Sequence, residues 1–417
     1  MTSASAFPEQ GIPWRTLEQE LTAYQVGELP YERGIFERYW PAYPTEVYLA
    51  ARSAQEMFAH TNLFSMNALP SLKRIERELR EIVGGVLGVP ETGAVSLTVG
   101  GTESNFLAVK AARRRGRMLG IERPNLVIPM TGHPSFDKAG DELGVEIRRV
   151  EVDAQYRAVP ELMRAHSDEN TILIAGSAPS YPQGVVDPVE ELAAIAAERN
   201  TWMHVDACVG GFLLNSLREV DPSTPRFSFD VPGVWSVSAD LHKFGFCLNG
   251  ISSFSVRDRE LQDFHTFTLP EHGWHYRGYQ RVGFAGSRPG GTLAAAWATF
   301  RTMGRDGYVR SAASIHRSAR RLAEGAAEID GLRVDVPPEA GIVVVFAEPG
   351  LDLESVSAQM LARGWDVSTA LTPPSLHILL SPYMEHVIDP FLHELREAVA
   401  EVRSTGARAT TAFTYGD

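Results

Sequence analysis

The stretch Ser236-Val-Ser-Ala-Asp-Leu-His-Lys-Phe-Gly-Phe246 decides the fold that we predict for this chain. It is typical of a strand end followed by a turn, which Gly245 favours because glycine tolerates tight backbone geometry. The strand would deliver Asp240, His242 and Lys243 to that turn. A lone lysine is more often a solvated surface charge. Beside apolar residues and a histidine, however, a lysine loses its proton readily and can attack a carbonyl carbon, so we place Lys243 at the chemical centre of the protein.

A second stretch, Trp202-Met-His-Val-Asp-Ala-Cys-Val-Gly-Gly211, contains another predicted strand and supplies Asp206. A buried aspartate is costly unless a positive charge matches it. Together the two stretches resemble the pyridoxal-phosphate (PLP) enzymes of the aspartate-aminotransferase fold and, among them, the sphingosine-1-phosphate lyase branch of the group II decarboxylase family. Further matching pieces extend the resemblance over residues 55 to 400.

The resemblance implies an α/β fold of type I, the PLP-dependent transferase-like fold, in which a large domain with a mostly parallel sheet precedes a smaller C-terminal α+β domain. The alternation of strand, helix and strand over residues 171–206 also predicts a parallel sheet with functional groups at the carboxyl ends of its strands. Within it, Asp187-Pro-Val-Glu190 is typical of a capping box that opens a helix. The expected divisions are an N-terminal arm over 1–55, a large PLP-binding domain over 56–305, a small domain over 306–403 and a disordered tail over 404–417.

The resemblance also assigns roles around the cofactor. In the family, the lysine at the place of Lys243 carries PLP as a Schiff base, and the aspartate at the place of Asp206 pairs with the pyridine nitrogen. A histidine at the place of His133 stacks on the cofactor ring, where an imidazole can also pass protons. PLP is therefore the expected cofactor, held by these three residues with Asp240 and His242 beside them.

A glycine turn in Leu97-Thr-Val-Gly-Gly-Thr-Glu-Ser-Asn-Phe106 joins a predicted strand to a predicted helix. Two glycines let the backbone approach an anion, which the first N–H groups of the helix can bind. The other interpretation is an ordinary helix start with Thr102 as N-cap. The match to the family's Gly-Gly-Thr-Glu-Ser favours a phosphate site made by Gly101 and Thr102, with Ser252 as a further candidate.

A later piece, Ala285-Gly-Ser-Arg-Pro-Gly-Gly-Thr292, matches the family nearly letter for letter. In the family it lies at the dimer contact and reaches the phosphate of the neighbouring subunit's cofactor. The resemblance therefore implies a homodimer with shared active sites, in which Gly286 and Ser287 help to hold the cofactor.

Two positions depart from the lyase pattern. Asn249 and Ser65 stand where the lyases have a lysine and a histidine that help to bind the substrate's phosphate. Because charge-assisted hydrogen bonds are the strong ones, their loss makes a long-chain-base phosphate a doubtful substrate. The sequence alone therefore favours a small, polar amino substrate.

Other substrate-binding candidates lie on predicted loops. Arg277 and Arg281, with Tyr279 between them, precede Gly286, and either arginine could bind a substrate carboxylate or be an ordinary surface residue. Tyr181 follows a buried strand, and its hydroxyl could transfer a proton or orient the substrate, or the side chain could simply be packed.

Composition and charge exclude several classes of function. The formal net charge of -13, with no basic run against it, argues against a nucleic-acid or anionic-membrane surface. No segment approaches the length of a membrane span, and the N-terminus lacks the apolar core of a signal peptide. Cys208 and Cys247 are expected as buried thiols in a reducing compartment. His272 and His275 alone are weak evidence for a metal, so we expect a soluble, cytoplasmic protein without one.

Three functions stay open from the sequence. The first is a PLP-dependent carbon–carbon lyase or aldolase that cleaves or forms the Cα–Cβ bond of the amino substrate. The second is an amino-acid α-decarboxylase, because substrate orientation decides which bond at Cα breaks. The third is a PLP-binding protein without turnover, in which Ser65, Asn249 and Ile251 mark a decayed pocket.

Overall fold

The computed structural model describes residues 7–28, 45–63, 67–271, 275, 278–382 and 384–406. The helices in these segments are α1 Trp14–Tyr24, α2 Thr45–Met57, α3 Pro70–Leu87, α4 Gly101–Met118, α5 Ser135–Leu143, α6 Pro160–Ala165, α7 Val189–Glu198, α8 Leu213–Leu217, α9 Gly290–Ala327, α10 Leu353–Ala362 and α11 Ile388–Thr405. The strands are β1 Ala94–Thr98, β2 Asn125–Pro129, β3 Glu146–Val150, β4 Thr171–Ser177, β5 Trp202–Asp206, β6 Ser236–Ala239, β7 Ser252–Val256, β8 Phe267–Leu269, β9 Tyr279–Arg281, β10 Leu332–Arg333, β11 Ile342–Ala347, β12 Ser368–Leu371 and β13 Pro374–Leu379.

The central sheet has seven strands in the order β1-β7-β6-β5-β4-β2-β3. Strands β6, β5, β4, β2 and β3 run parallel to their neighbours in this series, and β7 runs antiparallel to both β6 and β1. The predicted α/β fold with a mostly parallel sheet is confirmed. Because parallel strands share one carboxyl edge, the ends of β4, β5 and β6 lie side by side there.

Helices cover both faces of this sheet, and its inner strands are accordingly apolar along their whole length. Every residue of β2, β4 and β5 is buried. Alternate side chains enter different cores: Leu126 and Ile128 pack with α4 and α5, whereas Val127 packs in the larger core on the other face. This two-sided burial keeps the strand ends rigid, and rigid strand ends are what a functional site needs.

The C-terminal part forms a four-stranded antiparallel sheet in the order β10-β11-β13-β12; α9 and α10 pack against it, and α11 packs against those two helices. It confirms the predicted smaller α+β domain. Helix α9 leads into it and is kinked at Gly304, whose φ of 59° and ψ of 170° are not helical. The expected domain boundaries stay predictions, and residues 407–417 of the expected tail lie outside the described segments. No helix in the described segments combines the length and the apolar character needed to cross a membrane.

The capping box predicted at Asp187 is wrong. Helix α7 begins at Val189, and no side chain caps it. The buried Asp187 carboxylate accepts hydrogen bonds from the backbone N–H groups of Ser177 at 2.7 Å and Ala158 at 2.8 Å instead. These two donors, one at the end of β4 and one before α6, turn the carboxylate inward. Burial, which outweighs these hydrogen bonds and the charge of Arg157, raises the pKa of Asp187 to about 6.

Candidate active site

Lys243 lies on the turn after β6, where the sequence predicted it. Its Nζ is 3.0 Å from Oδ2 of the buried Asp240, and 20% of its side chain is exposed. The Phe246 N–H donates to the Lys243 carbonyl at 2.8 Å, and Phe246 itself has a positive φ of 57°. Such a φ is unfavourable for a bulky residue and persists only where the surroundings enforce it. The turn therefore stores strain directly beside the amine.

Helix α9 holds this strained turn in place. The Tyr308 hydroxyl donates to the Gly245 carbonyl at 2.6 Å, and the Tyr308 ring stacks on Phe246 with centroids 5.8 Å apart. Glycine is required at 245, because a Cβ atom there would lie 2.4 Å from the Leu241 carbonyl oxygen. These contacts give Lys243 a fixed position.

His242 points toward the same aspartate as the lysine. Its Nδ1 lies 2.7 Å from the Ile251 carbonyl oxygen and 3.3 Å from the Ile251 backbone nitrogen. Its Nε2 is 3.7 Å from Asp240 Oδ2. Asp240 thus lies between the lysine amine and the histidine ring.

Asp206 ends β5 on the neighbouring strand and is 7% exposed. Its carboxylate accepts from Asn105 Nδ2 at 2.8 Å and from the Cys208 backbone N–H at 3.1 Å. Burial alone would raise the pKa of Asp206, but His133, a hydrogen bond from Cys208 and Lys243 outweigh it and lower that pKa below its ordinary value. The carboxylate is ionised although it is buried.

His133 lies in the loop between β2 and α5. Its Nδ1 is 2.9 Å from Ser135 Oγ and accepts from the Ser135 backbone N–H at 3.1 Å. Burial lowers the pKa of His133 more than the charges of Asp206 and Asp240 raise it. The imidazole is therefore neutral at pH 7, and it lies close enough to Asp206 and Lys243 for their charges to act on it.

The predicted glycine turn begins α4. Gly100 is the N-cap residue and no side chain caps the helix, so the interpretation with Thr102 as N-cap is wrong. A Cβ atom on Gly101 would lie 2.7 Å from Cys208 Sγ and 2.9 Å from Asp240 Oδ2, so only glycine fits there. A Cβ atom on Gly100 would meet only the ring of His242, at 3.8 Å. Open space therefore adjoins the uncapped start of an 18-residue helix, as an anion site requires.

A chain of hydroxyl groups runs beneath this helix start. Thr98 Oγ1 is 2.7 Å from Ser104 Oγ, and Ser104 Oγ is 3.1 Å from Ser252 Oγ. The fully buried Ser252 hydroxyl donates to Asp240. Ser252 therefore connects the glycine turn to Asp240, and its contact with the phosphate stays a prediction.

The hairpin of β8 and β9 brings three further candidates together. The Arg281 guanidinium lies over the Tyr279 ring, 5.1 Å from its centroid, and Arg281 Nη1 donates to the Gln280 carbonyl. A Cβ atom on Gly286 would meet only the Tyr279 hydroxyl, at 3.8 Å. Gly286 and the exposed Ser287 thus border open space. Their roles toward a neighbouring subunit's cofactor, like those of Tyr279 and Arg281 toward substrate, stay predictions.

The remaining candidates are dispersed. The Tyr181 ring lies 4.7 Å from the His377 ring and the Tyr181 carbonyl accepts from His377 Nε2, which ties this loop to β13. Asn249 is exposed. Ser65 and Arg277 lie outside the described residues, so the structure does not test them.

The sequence analysis did not predict a buried polar network that lies beside Asp206. Its members are Asn105, Ser135, His204 and Ser238. One signal was available: Ser104 and Asn105 are polar residues directly before the apolar run Phe106-Leu-Ala-Val109 of the same helix. Buried polar side chains without an obvious partner in sequence point to a network that only the fold assembles.

The site fits PLP on its own chemistry. A buried, ionised Asp206 needs a cationic partner, which a protonated pyridine nitrogen supplies. The uncapped start of α4 offers N–H groups to a phosphate, and Lys243 offers an amine to an aldehyde. His133 supplies a neutral ring near both. The carboxyl edge of the sheet therefore carries a group for each part of the cofactor.

Comparison with known proteins agrees with this chemistry. The family model described as the pyridoxal-dependent decarboxylase conserved domain matches residues 45–346. The chain belongs to the pyridoxal-dependent decarboxylase family. The resemblance drawn from the motifs is thereby confirmed, and PLP is the cofactor.

Relatives of two kinds are similar to this chain. Sphingosine-1-phosphate lyase of Arabidopsis thaliana is 38% identical over 357 residues, which cover 84% of this chain and 65% of the lyase. A probable L-tyrosine/L-aspartate decarboxylase of Methanothermobacter thermautotrophicus is 36% identical over 330 residues, which cover 78% of this chain and 88% of that protein. The chain thus spans about two thirds of the plant lyase and most of the archaeal decarboxylase.

Solved structures extend the likeness to the whole fold. A sphingosine-1-phosphate lyase of Burkholderia pseudomallei superposes with a TM-score of 0.91 and 32% identity, over 97% of this chain and 95% of that one. Glutamate decarboxylase of Lactobacillus brevis, at 19% identity and a TM-score of 0.84, shares the fold. Both confirm the predicted large domain with its smaller C-terminal domain.

Proposed function

We propose that this enzyme is a PLP-dependent carbon–carbon lyase that cleaves the Cα–Cβ bond of a β-hydroxy amine. The observation that carries the proposal is the full-length likeness to a solved sphingosine-1-phosphate lyase at 32% identity, together with the grouping of Lys243, Asp206 and His133 at one sheet edge. Relatives named as the same lyase from plants and animals are 30–38% identical.

The cofactor, when bound, withdraws electrons from Cα of an amine attached to it. The chain's own residues supply the rest. Asp206 keeps a negative charge against the pyridine nitrogen, and the start of α4 binds the phosphate. Lys243 Nζ, held 3.0 Å from Asp240 Oδ2, is placed to accept and return protons. His133, neutral and fixed by Ser135, can donate a hydrogen bond without adding charge.

For the substrate, we propose a long-chain β-hydroxy amine that carries a phosphate, since that class is named in the lyase relatives. The small polar substrate expected from the sequence receives no support from those relatives. The expectation rested on Asn249 and Ser65, of which Asn249 is exposed and Ser65 lies outside the described residues. The product analysis below therefore also tests binding of the phosphate without that lysine and histidine.

The test of the lyase proposal is product analysis on the purified, PLP-loaded protein. With sphinganine-1-phosphate we expect a long-chain aldehyde and phosphoethanolamine, the two products of breaking Cα–Cβ. Lys243→Ala, treated identically, should give neither product. If no aldehyde forms although PLP is bound, the lyase proposal is wrong.

Amino-acid α-decarboxylation is the second candidate, and one observation favours it. The probable decarboxylase of Methanothermobacter thermautotrophicus is 36% identical over 78% of this chain. The same protein incubated with L-tyrosine or L-aspartate should then release carbon dioxide and the corresponding amine. A protein that binds PLP and yields neither set of products would instead fit the binding-only alternative.

We also propose that the chain acts as a homodimer in the cytoplasm. Helix α1 supports the dimer, because none of its residues is buried and its apolar side chains Trp14, Leu21 and Tyr24 are exposed. Light scattering on the eluted peak of a sizing column should give twice the chain mass of 45.8 kDa. A peak at the monomer mass would contradict the dimer.

A further inference from the structure

Asn105 lies on the second turn of α4 and is 1% exposed. A buried amide must satisfy its hydrogen-bonding groups inside the protein. Its contacts in the described residues are Nδ2 to Asp206 Oδ2 at 2.8 Å, Nδ2 to Ser135 Oγ at 2.9 Å, Oδ1 to Ser238 Oγ at 2.8 Å and Oδ1 to His204 Nε2 at 3.3 Å. All four hydrogen-bonding positions of the amide are therefore used.

The Asp206 carboxylate fixes the direction of these hydrogen bonds. An ionised carboxylate only accepts, so the group of Asn105 that faces it is the NH2 group. Oδ1 therefore accepts from the Ser238 hydroxyl and from His204 Nε2. His204 Nδ1, 2.8 Å from Ser236 Oγ, then accepts from that hydroxyl. Burial lowers the pKa of His204 to about 4, which keeps this ring neutral and in the required tautomer.

The other N–H of the Asn105 amide leads to His133. It donates to Ser135 Oγ, whose own proton is then directed to His133 Nδ1 at 2.9 Å. The Ser135 backbone N–H points at the same nitrogen, at 3.1 Å. Nδ1 thus accepts twice, and the proton of the neutral imidazole is on Nε2. One amide reaches two groups of the cofactor site.

We propose that Asn105 is a positioning residue of the cofactor site: its amide holds the Asp206 carboxylate in place for the pyridine nitrogen and, through Ser135, fixes the tautomer of His133. The role depends on PLP alone and is the same for a lyase and for a decarboxylase. Asn105 acts through these two side chains, so its loss disturbs both at once.

The experiment replaces Asn105 by leucine, which has a similarly branched side chain and no hydrogen-bonding group. The cofactor-free, full-length protein is titrated with PLP, and the dissociation constant and absorbance spectrum are recorded. A hydrogen bond to a charged group is lost, so we expect Asn105→Leu to raise the dissociation constant about 10- to 100-fold. The absorbance band of the bound cofactor should also shift, because the charge opposite the pyridine nitrogen is less well held.

Asn125→Leu is the matched control. Asn125 is also a buried asparagine that donates to an aspartate, Asp168 at 2.7 Å, but it begins β2 at the opposite edge of the sheet. Both variants should lower the melting temperature of the cofactor-free protein. Only Asn105→Leu should change PLP binding, and Asn125→Leu should stay within about twofold of the parent.

Two results would overturn the proposal: an Asn105→Leu protein that binds PLP like the parent with an unchanged spectrum, or an equal weakening by Asn125→Leu. If Asn105→Leu does not fold, Ser135→Ala takes its place, since it removes one hydroxyl from the link to His133. We expect it to raise the dissociation constant about 3- to 10-fold. Parent-like binding and spectrum in Ser135→Ala would equally overturn the proposal.

Discussion

An asparagine–aspartate pair lies at each end of the central sheet, and the two pairs serve different purposes. At the carboxyl edge Asn105 donates to Asp206 at 2.8 Å, and at the amino edge Asn125 donates to Asp168 at 2.7 Å. Asp206 is 7% exposed, whereas 34% of the Asp168 side chain is exposed. The same chemical pair therefore occurs once in a dry setting and once at the surface.

The partners of the two carboxylates explain the difference. Asp168 is neutralised locally, since Arg148 Nη1 lies 2.8 Å from its Oδ2. The hydrogen bonds to Asp206 come from two neutral donors, Asn105 and the Cys208 N–H. These donors favour the ionised carboxylate without cancelling its charge, and the charges of His133 and Lys243 lower its pKa further. We therefore expect the amino-edge pair to stabilise the fold and the carboxyl-edge pair to keep a charge available for the cofactor.

The largest loss of turnover is expected from replacing Lys243, which follows β6 at the carboxyl edge of the sheet. Lys243→Arg keeps the charge but cannot form the bond to the cofactor, so turnover should fall at least about a thousandfold. Lys110 provides the control, because its Nζ donates to the His265 carbonyl at 2.9 Å and burial lowers its pKa. Lys110→Arg keeps a donor and should retain turnover within about twofold. The measurement is the steady-state turnover rate of each variant. Equal losses of turnover would show that Lys243 has no special part in the reaction.

The two aspartates give the next largest effect. Asp206→Asn removes the buried charge and should raise the PLP dissociation constant by roughly 30-fold or more. Asp168→Asn, the same change at the other edge, should leave it unchanged. Fluorescence titration with PLP measures both. If both variants bind PLP with the same affinity, Asp206 and Asp168 do not differ in the way described.

The stability of the folded protein in acid should depend on His204, a buried residue of β5. Its pKa is about 4 in the folded protein, below the ordinary 6.5, so the unfolded chain binds a proton between those values and the folded chain does not. The neutral His204 ring therefore contributes its full stability above pH 6.5, and this contribution is lost as the pH falls toward 4. In His204→Gln, the free energy of unfolding should fall by about 3 kcal/mol less than in the parent between pH 6.5 and pH 4. Urea unfolding at both pH values measures this difference. An unchanged slope would contradict a buried neutral ring.

The smallest effect is expected at Asp168. The pKa of this carboxyl falls to about 2, because hydrogen bonds from Asn125 and Arg148 outweigh partial burial. The stability that the ionised Asp168 carboxylate contributes to the fold is present above pH 3.8 and is lost as the pH falls toward 2. Because the side chain is partly exposed, Asp168→Asn should cost less than about 1 kcal/mol at pH 7. A loss of several kcal/mol would show that the amino-edge pair is not a surface pair.

The sequence predicted the residues that follow strands and missed those that meet across elements. Lys243, Asp206 and His133 each stand just after or at the end of an apolar run, so the parallel sheet alone brings them to one edge. Asn105 could not be assigned, because its partners lie on β5, β6 and α5 and only packing joins them. The capping box at Asp187 failed for the same reason, since backbone donors at Ser177 and Ala158, outside the helix, hold the carboxylate instead.

The most direct test of the central claim is to find where PLP attaches. The chain has four lysines, Lys73, Lys110, Lys138 and Lys243, so borohydride reduction of the PLP-loaded protein followed by peptide mass spectrometry gives an unambiguous position. We predict the reduced cofactor on Lys243 alone. Attachment to another lysine, or no attachment in a protein incubated with PLP, would contradict the site described here.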